Sequence, residues 1–230
     1  MKKLILSFSI FTLALGTVAA QSIDEIVAKH LNALGGEAKL KEVKSVEMAN
    51  TIKVQGLEMV NQTNIVVNSA VRSESTVMGN TLVQAFDGTM AWENTPIMMG
   101  GSGKPQVMAD ESAGAIINQA DPFPLLDYAK KGTKLEFLGT ENAYFHLKMT
   151  PKMGAESEIW INVKTGLVSK LKSFQNGQDA EIEFSNYAQI EGITFALHME
   201  TMAGMIKIDT KSVKLNGSID PSIFRMPILK

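Results

Sequence analysis

The chain has 230 residues, with 22 basic and 24 acidic side chains, a formal charge of −2 and 45% hydrophobic residues, a composition that suits one globular domain. This balance offers no basic field for nucleic acid or for an anionic membrane surface. With no cysteine, the chain has neither a disulfide framework nor the N-terminal cysteine that a bacterial lipid anchor needs.

Lys2 and Lys3 precede an apolar run from Leu4 to Leu15, and Val18-Ala19-Ala20 supplies the small residues of a cleavage site. This opening reads as a secretory signal peptide over residues 1–20, cut after Ala20, with 21–230 as a single exported domain. The run is short for a membrane span, and no later stretch approaches ~20 uninterrupted apolar residues. Removing the two signal lysines leaves 20 basic against 24 acidic residues, a formal charge of about −4.

Ser22-Ile23-Asp24-Glu25 is a capping box, and Ile23, Ile26, Val27, His30, Leu31 and Leu34 follow at helical spacing until Gly35-Gly36 ends the helix. His30 falls on or beside this stripe, where a lone histidine is read as a packed core residue. A short helical piece, Glu37 to Val43, leads into a strand in which Val46, Met48, Ile52 and Val54 alternate with polar residues. A turn at Gly56-Leu57 is expected to pair Val54 with Met59, Met48 with Ile65 and Val46 with Val67. Gly79-Asn80 and Asp87-Gly88 mark two further crossings, ending at Met90-Ala91-Trp92.

Between two blocks of strands the pattern changes. Pro96 to Pro105, with Gly100-Gly101-Ser102-Gly103 inside it, reads as a loop, followed by two short helices over Asp110 to Gln119 and Pro122 to Lys131. Asp121 is the expected N-cap of the second, and Leu125, Leu126 and Tyr128 its inward residues. Pattern alone leaves two roles open for this insertion: a movable cover over the sheet, or a fixed plug.

Strands resume at Lys134 to Leu138 and Ala143 to Met149. From Glu158 to Asp209 the turns fix a register. Asn176-Gly177 should pair Lys172 with Glu181, Lys170 with Glu183 and Leu171 with Ile182. Lys164-Thr165-Gly166 should set Ile159 opposite Leu171, with Ile161 and Val163 on the same face. A turn at Ala203-Gly204 should align Met199 with Ile208 and Thr201 with Ile206. The apolar face so formed comprises Ile159, Ile161, Leu171, Ile182, Phe184, Leu197, Met199 and Ile208, and it is the expected ligand-binding surface, covered in part by Leu125 and Leu126. Asp220 to Phe224 closes the chain as a short helical turn packing Ile223 and Phe224.

The phrases Ala85-Phe86-Asp87-Gly88-Thr89-Met90-Ala91-Trp92, Ile159-Trp160-Ile161-Asn162-Val163-Lys164-Thr165-Gly166, Glu183-Phe184-Ser185-Asn186-Tyr187, Glu191-Gly192-Ile193-Thr194-Phe195 and Asp220-Pro221-Ser222-Ile223-Phe224 resemble strand and turn phrases of the outer-membrane lipoprotein-sorting proteins, the LolA-like periplasmic carriers. Together with the order helix, strands, helical insertion, strands, the resemblance spans the mature chain. It implies an α+β fold: a strongly curved antiparallel sheet, an incomplete β-barrel, with helices over its concave face and an apolar cavity between. It also implies a monomeric carrier that takes the acyl chains of lipoproteins, or a related lipid, from an inner-membrane release complex to an outer-membrane acceptor. In that family an arginine on an early strand holds the cover, and Arg72 is the candidate here. Read from its neighbours alone, Arg72 instead forms an ion pair with Glu74 or Asp87.

Fourteen methionines suit a surface that repacks around variable apolar ligands. The pattern His198-Met199-x-x-Met202-x-x-Met205 also resembles the soft-ligand clusters that bind Cu(I), which makes metal binding the alternative, alongside an exported apolar-ligand binder without lipoprotein transfer. His30, His146 and His198 lie in no zinc spacing, and no nucleophile elbow, phosphate loop or dinucleotide fingerprint occurs. Neither an enzyme nor a resident cofactor is expected.

Overall fold

A computed structural model describes residues 22–175 and 178–228. The signal segment, its cleavage site and the Asn176-Gly177 turn lie outside the described residues. Helix α1 (Ile23–Leu34) starts at the expected capping box, with Ser22 accepting from the Glu25 amide and Glu25 returning the bond to Ser22, and it ends at Gly35. The short α2 (Glu37–Glu42) follows. Strands β1 (Ser45–Val54), β2 (Leu57–Val66), β3 (Ala70–Val77), β4 (Asn80–Phe86), β5 (Ala91–Asn94) and β6 (Gln106–Val107) form the first block. Helix α3 (Asp110–Gln119) separates it from β7 (Lys134–Glu141), β8 (Tyr144–Thr150), β9 (Ser157–Asn162), β10 (Val168–Gln175), β11 (Gln178–Ile190), β12 (Ile193–Thr201) and β13 (Ile206–Leu215).

The thirteen described strands make one antiparallel sheet in the order β6-β5-β4-β3-β2-β1-β13-β12-β11-β10-β9-β8-β7. The two blocks join where β1 pairs with β13. The sheet is open, and it is strongly curved. Helix α3 packs on β3, β4 and β5 and also on β10. From β5 to β10 is eight strand spacings, roughly 38 Å on a flat sheet, whereas ten helical residues span only ~15 Å. Only a sheet bent around the helix brings both flanks within its reach.

The second-block register is the one the turns imply. Lys172 lies opposite Glu181, Lys170 opposite Glu183 and Leu171 opposite Ile182, while Ile159 faces Leu171 and Met199 faces Ile208. The lysines lean diagonally, so that Lys172 meets Asp179 at 2.6 Å and Lys170 meets Glu181 at 3.4 Å. The β12–β13 connection takes four residues, and Thr201 pairs with Ile206 as expected.

Two expectations are corrected. The β1–β2 turn is Gln55-Gly56, not Gly56-Leu57, and it pairs Val54 with Leu57, Met48 with Thr63 and Val46 with Ile65. Both turn residues have positive φ, 49° and 85°, the geometry that places glycine second. The slip is two residues, so each side chain keeps its face. The second insertion helix, expected over Pro122 to Lys131, is a run of turns. Pro124 withholds an amide and disfavours helical geometry at Phe123, and Asp127 sits at φ 49°. The Asp121 carboxylate still accepts from the Phe123 amide at 3.2 Å.

Candidate functional site

The inner face of the sheet follows from the pairings: Val46, Met48, Asn50, Ile52 and Val54 on β1, with Leu215, Val213, Thr210, Ile208 and Ile206 opposite them on β13. One end of this face is sealed. Helix α1 lies across the β9–β10 and β11–β12 turns, and the His30 Nδ1–H donates to the Gly166 carbonyl at 2.9 Å. Burial holds the His30 imidazole below its ordinary pKa and therefore neutral. Val46, Ile65, Val71, Phe86, Phe145, Leu147, Ile159 and Ile161 fill the core beneath, with Ile116 of α3 and Phe123, Leu125 and Leu126 of the turns over them.

The other end, where β1 turns into β2 and β12 into β13, is an open mouth. There the same face carries Ile52, Val54, Ile182, Phe184, Met199, Ile206 and Ile208, all only half-buried, and Leu57, which is exposed. The connections around it expose further apolar side chains: Met78, Ile97, Met98, Met153, Met202 and Met205. Each sits in a connection at this end, Ile97 and Met98 in the 3-10 helix Ile97–Met99 and the others in turns, since β1, β3, β5, β8, β10 and β12 all finish here. An uncharged strip thus runs from the sealed core out to a methionine-rich rim.

The ten residues expected at the site divide between these regions. Ile159, Ile161, Leu125 and Leu126 belong to the sealed core, and Leu171 and Leu197 pack on its margin. Ile182, Phe184, Met199 and Ile208 line the open strip. Sequence reasoning left Ile52, Val54, Leu57 and Ile206 out of the site, although the same alternation that selected Ile208 reaches them once β1 is known to lie beside β13.

Arg72 is not positioned to hold the cover. It lies on the outer face, opposite α3, with its guanidinium 5.5 Å from the centre of the Trp92 ring. It donates to the Ile223 carbonyl at 2.8 Å and to Glu74 at 2.6 Å. Trp92 donates its indole N–H to the Phe224 carbonyl at 2.7 Å. These bonds fasten the 3-10 turn Pro221–Phe224 against the back of the sheet. The Glu74 ion pair is the one its neighbours suggested.

The soft-ligand pattern is dispersed. Met199 faces inward, whereas His198 faces outward and has both ring nitrogens on carboxylates, Asp209 at 2.7 Å and Glu200 at 2.9 Å. Met202 and Met205 stand exposed in the turn. Among the described residues no group of three or more histidines, cysteines and carboxylates is placed to hold a metal ion.

The cover is α3 with the turns after it. Asn118 donates to the Ala155 carbonyl at 3.0 Å, the Asn68 amide donates to the Ala120 carbonyl at 2.8 Å, and Tyr128 donates to Asp24 at 3.0 Å. The Gly100–Gly103 loop precedes β6, which is paired to β5, so the attachment of α3 is Met108-Ala109 rather than that loop.

No protein-family profile matches the sequence, and no curated protein matches it. Solved structures do. A LolA superfamily protein, NE2245 from Nitrosomonas europaea, superposes with a TM-score of 0.60 at 14% identity over 90% of this chain and 98% of that one. A DUF1329 family protein from Desulfovibrio piger ATCC 29098 gives a TM-score of 0.51 at 12% identity, again over 90% and 98%. The chain therefore has the LolA-like fold, an open curved sheet with helices on its inner face. No helix among the described residues is long and apolar enough to cross a membrane.

Proposed function

We propose that this protein is an exported, non-enzymatic carrier that holds acyl chains on the open half of its inner face, in the periplasm. The observation that carries this reading is the division of the inner face into a sealed apolar end and an unsealed apolar one. Burying hydrocarbon contributes about 0.8 kcal/mol per methylene, so Ile182, Phe184, Met199 and Ile208 gain by taking an acyl chain where they now meet water. The thioethers around the mouth adapt to chains of different length and branching. The LolA-like fold supports lipid carriage in general, and the resemblance in sequence phrases extends it to the acyl chains of lipoproteins in transit to the outer membrane.

In this reading α3 and its following turns are a cover. Helix α3 is shorter than the ~12 to 15 residues at which an isolated helix becomes even marginal, so it depends on its seat. A Cβ built on Gly114 would lie 2.9 Å from the Ala155 Cβ, closer than the ~3.5 to 4.5 Å of a disulfide, so Gly114→Cys with Ala155→Cys bridges the cover to the β8–β9 turn once the two backbones part by about 1 Å. The parent has no cysteine, so only that bridge forms. Oxidation is expected to block uptake of a fluorescent fatty-acyl probe, and reduction to restore it. Equal uptake by the locked protein would make the insertion a fixed part of the core. Failure of the parent to take up any acyl probe would remove the carrier reading itself, and extraction with mass spectrometry of protein from the periplasm identifies the cargo.

A further inference from the structure

Between the sealed core and the open mouth a row of polar side chains crosses the inner face, perpendicular to the strands: Thr210 on β13, Asn50 on β1, Asn61 and Thr63 on β2, and Ser73 and Ser75 on β3. Its hydrogen-bond directions are fixed from one end. The Asn61 Nδ2 donates to the Glu74 carbonyl at 3.2 Å, and to the Ser73 and Ser75 hydroxyls at 2.9 and 3.0 Å. A carbonyl only accepts, so the Asn61 amide cannot be reversed, and its Oδ1 must face the other way. There it accepts from Thr63 at 3.0 Å and from the Asn50 Nδ2 at 2.9 Å. Asn50 therefore turns its own oxygen away from the row.

That Asn50 oxygen is buried and has no hydrogen-bond partner among the described residues, and the same holds for the Thr210 hydroxyl. Asn50 and Thr210 are cross-strand neighbours, at 7% and 8% exposure. They owe that placement to a bulge. Ala49 pairs with Ser212 but Asn50 pairs with Thr210, so Lys211 is an extra residue on β13 that turns Thr210 inward. A buried polar atom left unpaired costs about 1 to 3 kcal/mol. Two of them, side by side at the inner end of an apolar strip, are the complement of a particular chemical group.

We propose that Asn50 and Thr210 form the polar end of the lipid site and select a single-chain lipid whose inner end is small, uncharged and carries an O–H or N–H, such as a long-chain alcohol or primary amide. The Asn50 oxygen accepts from that group, and the Thr210 hydroxyl donates to its oxygen. A carboxylate has no proton to give Asn50 and brings a charge into an apolar site. A plain methyl terminus leaves both oxygens unpaired, so an ordinary acyl chain occupies the open strip without engaging them. From Asn50 to Val54 the strand runs four residues, ~13 Å, so the hydrocarbon lies along Ile52 and Ile208 toward the rim. Both oxygens are buried, so the side chains over them move aside for the group to reach them.

This inference rests on the carrier reading, and one competition assay separates the two. Dodecanol, dodecanamide and dodecanoate at pH 8 are each set against a fluorescent acyl probe on the whole mature protein. Alcohol and amide are expected to displace it at least about tenfold better than dodecanoate, the equivalent of one hydrogen bond. Thr210→Val should reduce that preference about tenfold while leaving dodecanoate unchanged, and Thr210→Ser, which restores the hydroxyl, should recover it. Equal displacement by all three lipids in the parent, or an unchanged ratio in a folded Thr210→Val, overturns the polar end and leaves acyl carriage standing. Displacement by none of them overturns both.

Discussion

Gly35 lies directly against Gly192: a methyl group on Gly35 would stand 2.3 Å from the Gly192 carbonyl oxygen. This contact seats the end of α1 on the β11–β12 turn and closes one end of the inner face. Gly35 also has φ 125°, a backbone state that side chains disfavour. Gly35→Ala is expected to cost about 2 to 4 kcal/mol from strain and overpacking together. Urea unfolding measures it, and a loss under about 1 kcal/mol would mean that α1 is seated elsewhere.

The sealed and open halves should respond differently to the same truncation. Ile161 is fully buried, so Ile161→Ala should cost about 2 to 5 kcal/mol. Ile208 is half-buried on the strip, and Ile208→Ala should cost less than about 1.5 kcal/mol while weakening acyl-probe binding several-fold. If Ile208→Ala left binding intact, the ligand would not lie on that strip.

On the outer face, hydrogen bonds to Glu200 and Asp209 raise the His198 pKa, and the bonds from His198 lower those of the two carboxylates. The histidine contribution to stability is complete below the unfolded value of about 6.5 and is lost as pH rises through the raised one. The carboxylate contributions are complete above about 4 and are lost as pH falls through the lowered values. The β12–β13 hairpin should thus gain most from this cluster between about pH 5 and 6.5. His30 runs the other way: its folded pKa is lowered by burial, so its contribution is present above about 6.5 and is lost as pH falls toward that lowered value. Imidazole NMR titration should place His198 above 6.5 and His30 below it, and Asp209→Asn should move only His198 downward.

Arg72→Ala should loosen the C-terminal turn without touching the ligand strip. Losing the bond to Ile223 and the contact with Trp92 is expected to cost about 1 to 3 kcal/mol. In a Trp160→Phe background, where Trp92 is the remaining tryptophan, its emission should shift red while acyl-probe binding stays constant. A drop in binding would restore Arg72 as a residue that governs the cover.

Hairpin registers were legible in the sequence because a turn couples neighbouring residues. A Lys-Thr-Gly loop constrains φ locally, and period-two alternation then carries the phase along β9 to β13. The same locality explains the two misreadings. The Gln55-Gly56 turn was misplaced because it offers a single glycine to two framings, and the second helix failed because Pro124 broke a pattern whose apolar spacing otherwise fitted. What residue spacing could not supply was which strands meet across the closure. The pairing of β1 with β13 joins residues more than 150 positions apart, and it alone sets Asn50 beside Thr210 and extends the apolar strip from Ile208 to Ile52. Arg72 shows the same limit: alternation places it on a face, but only the return of the C-terminal turn to the back of the sheet decides what that face touches. Apolar periodicity fixes which residues leave water, since burial is a local demand of each element. Which end of the face is sealed and which stays open depends on where α1 and α3 come to rest, and that is settled by packing between distant segments.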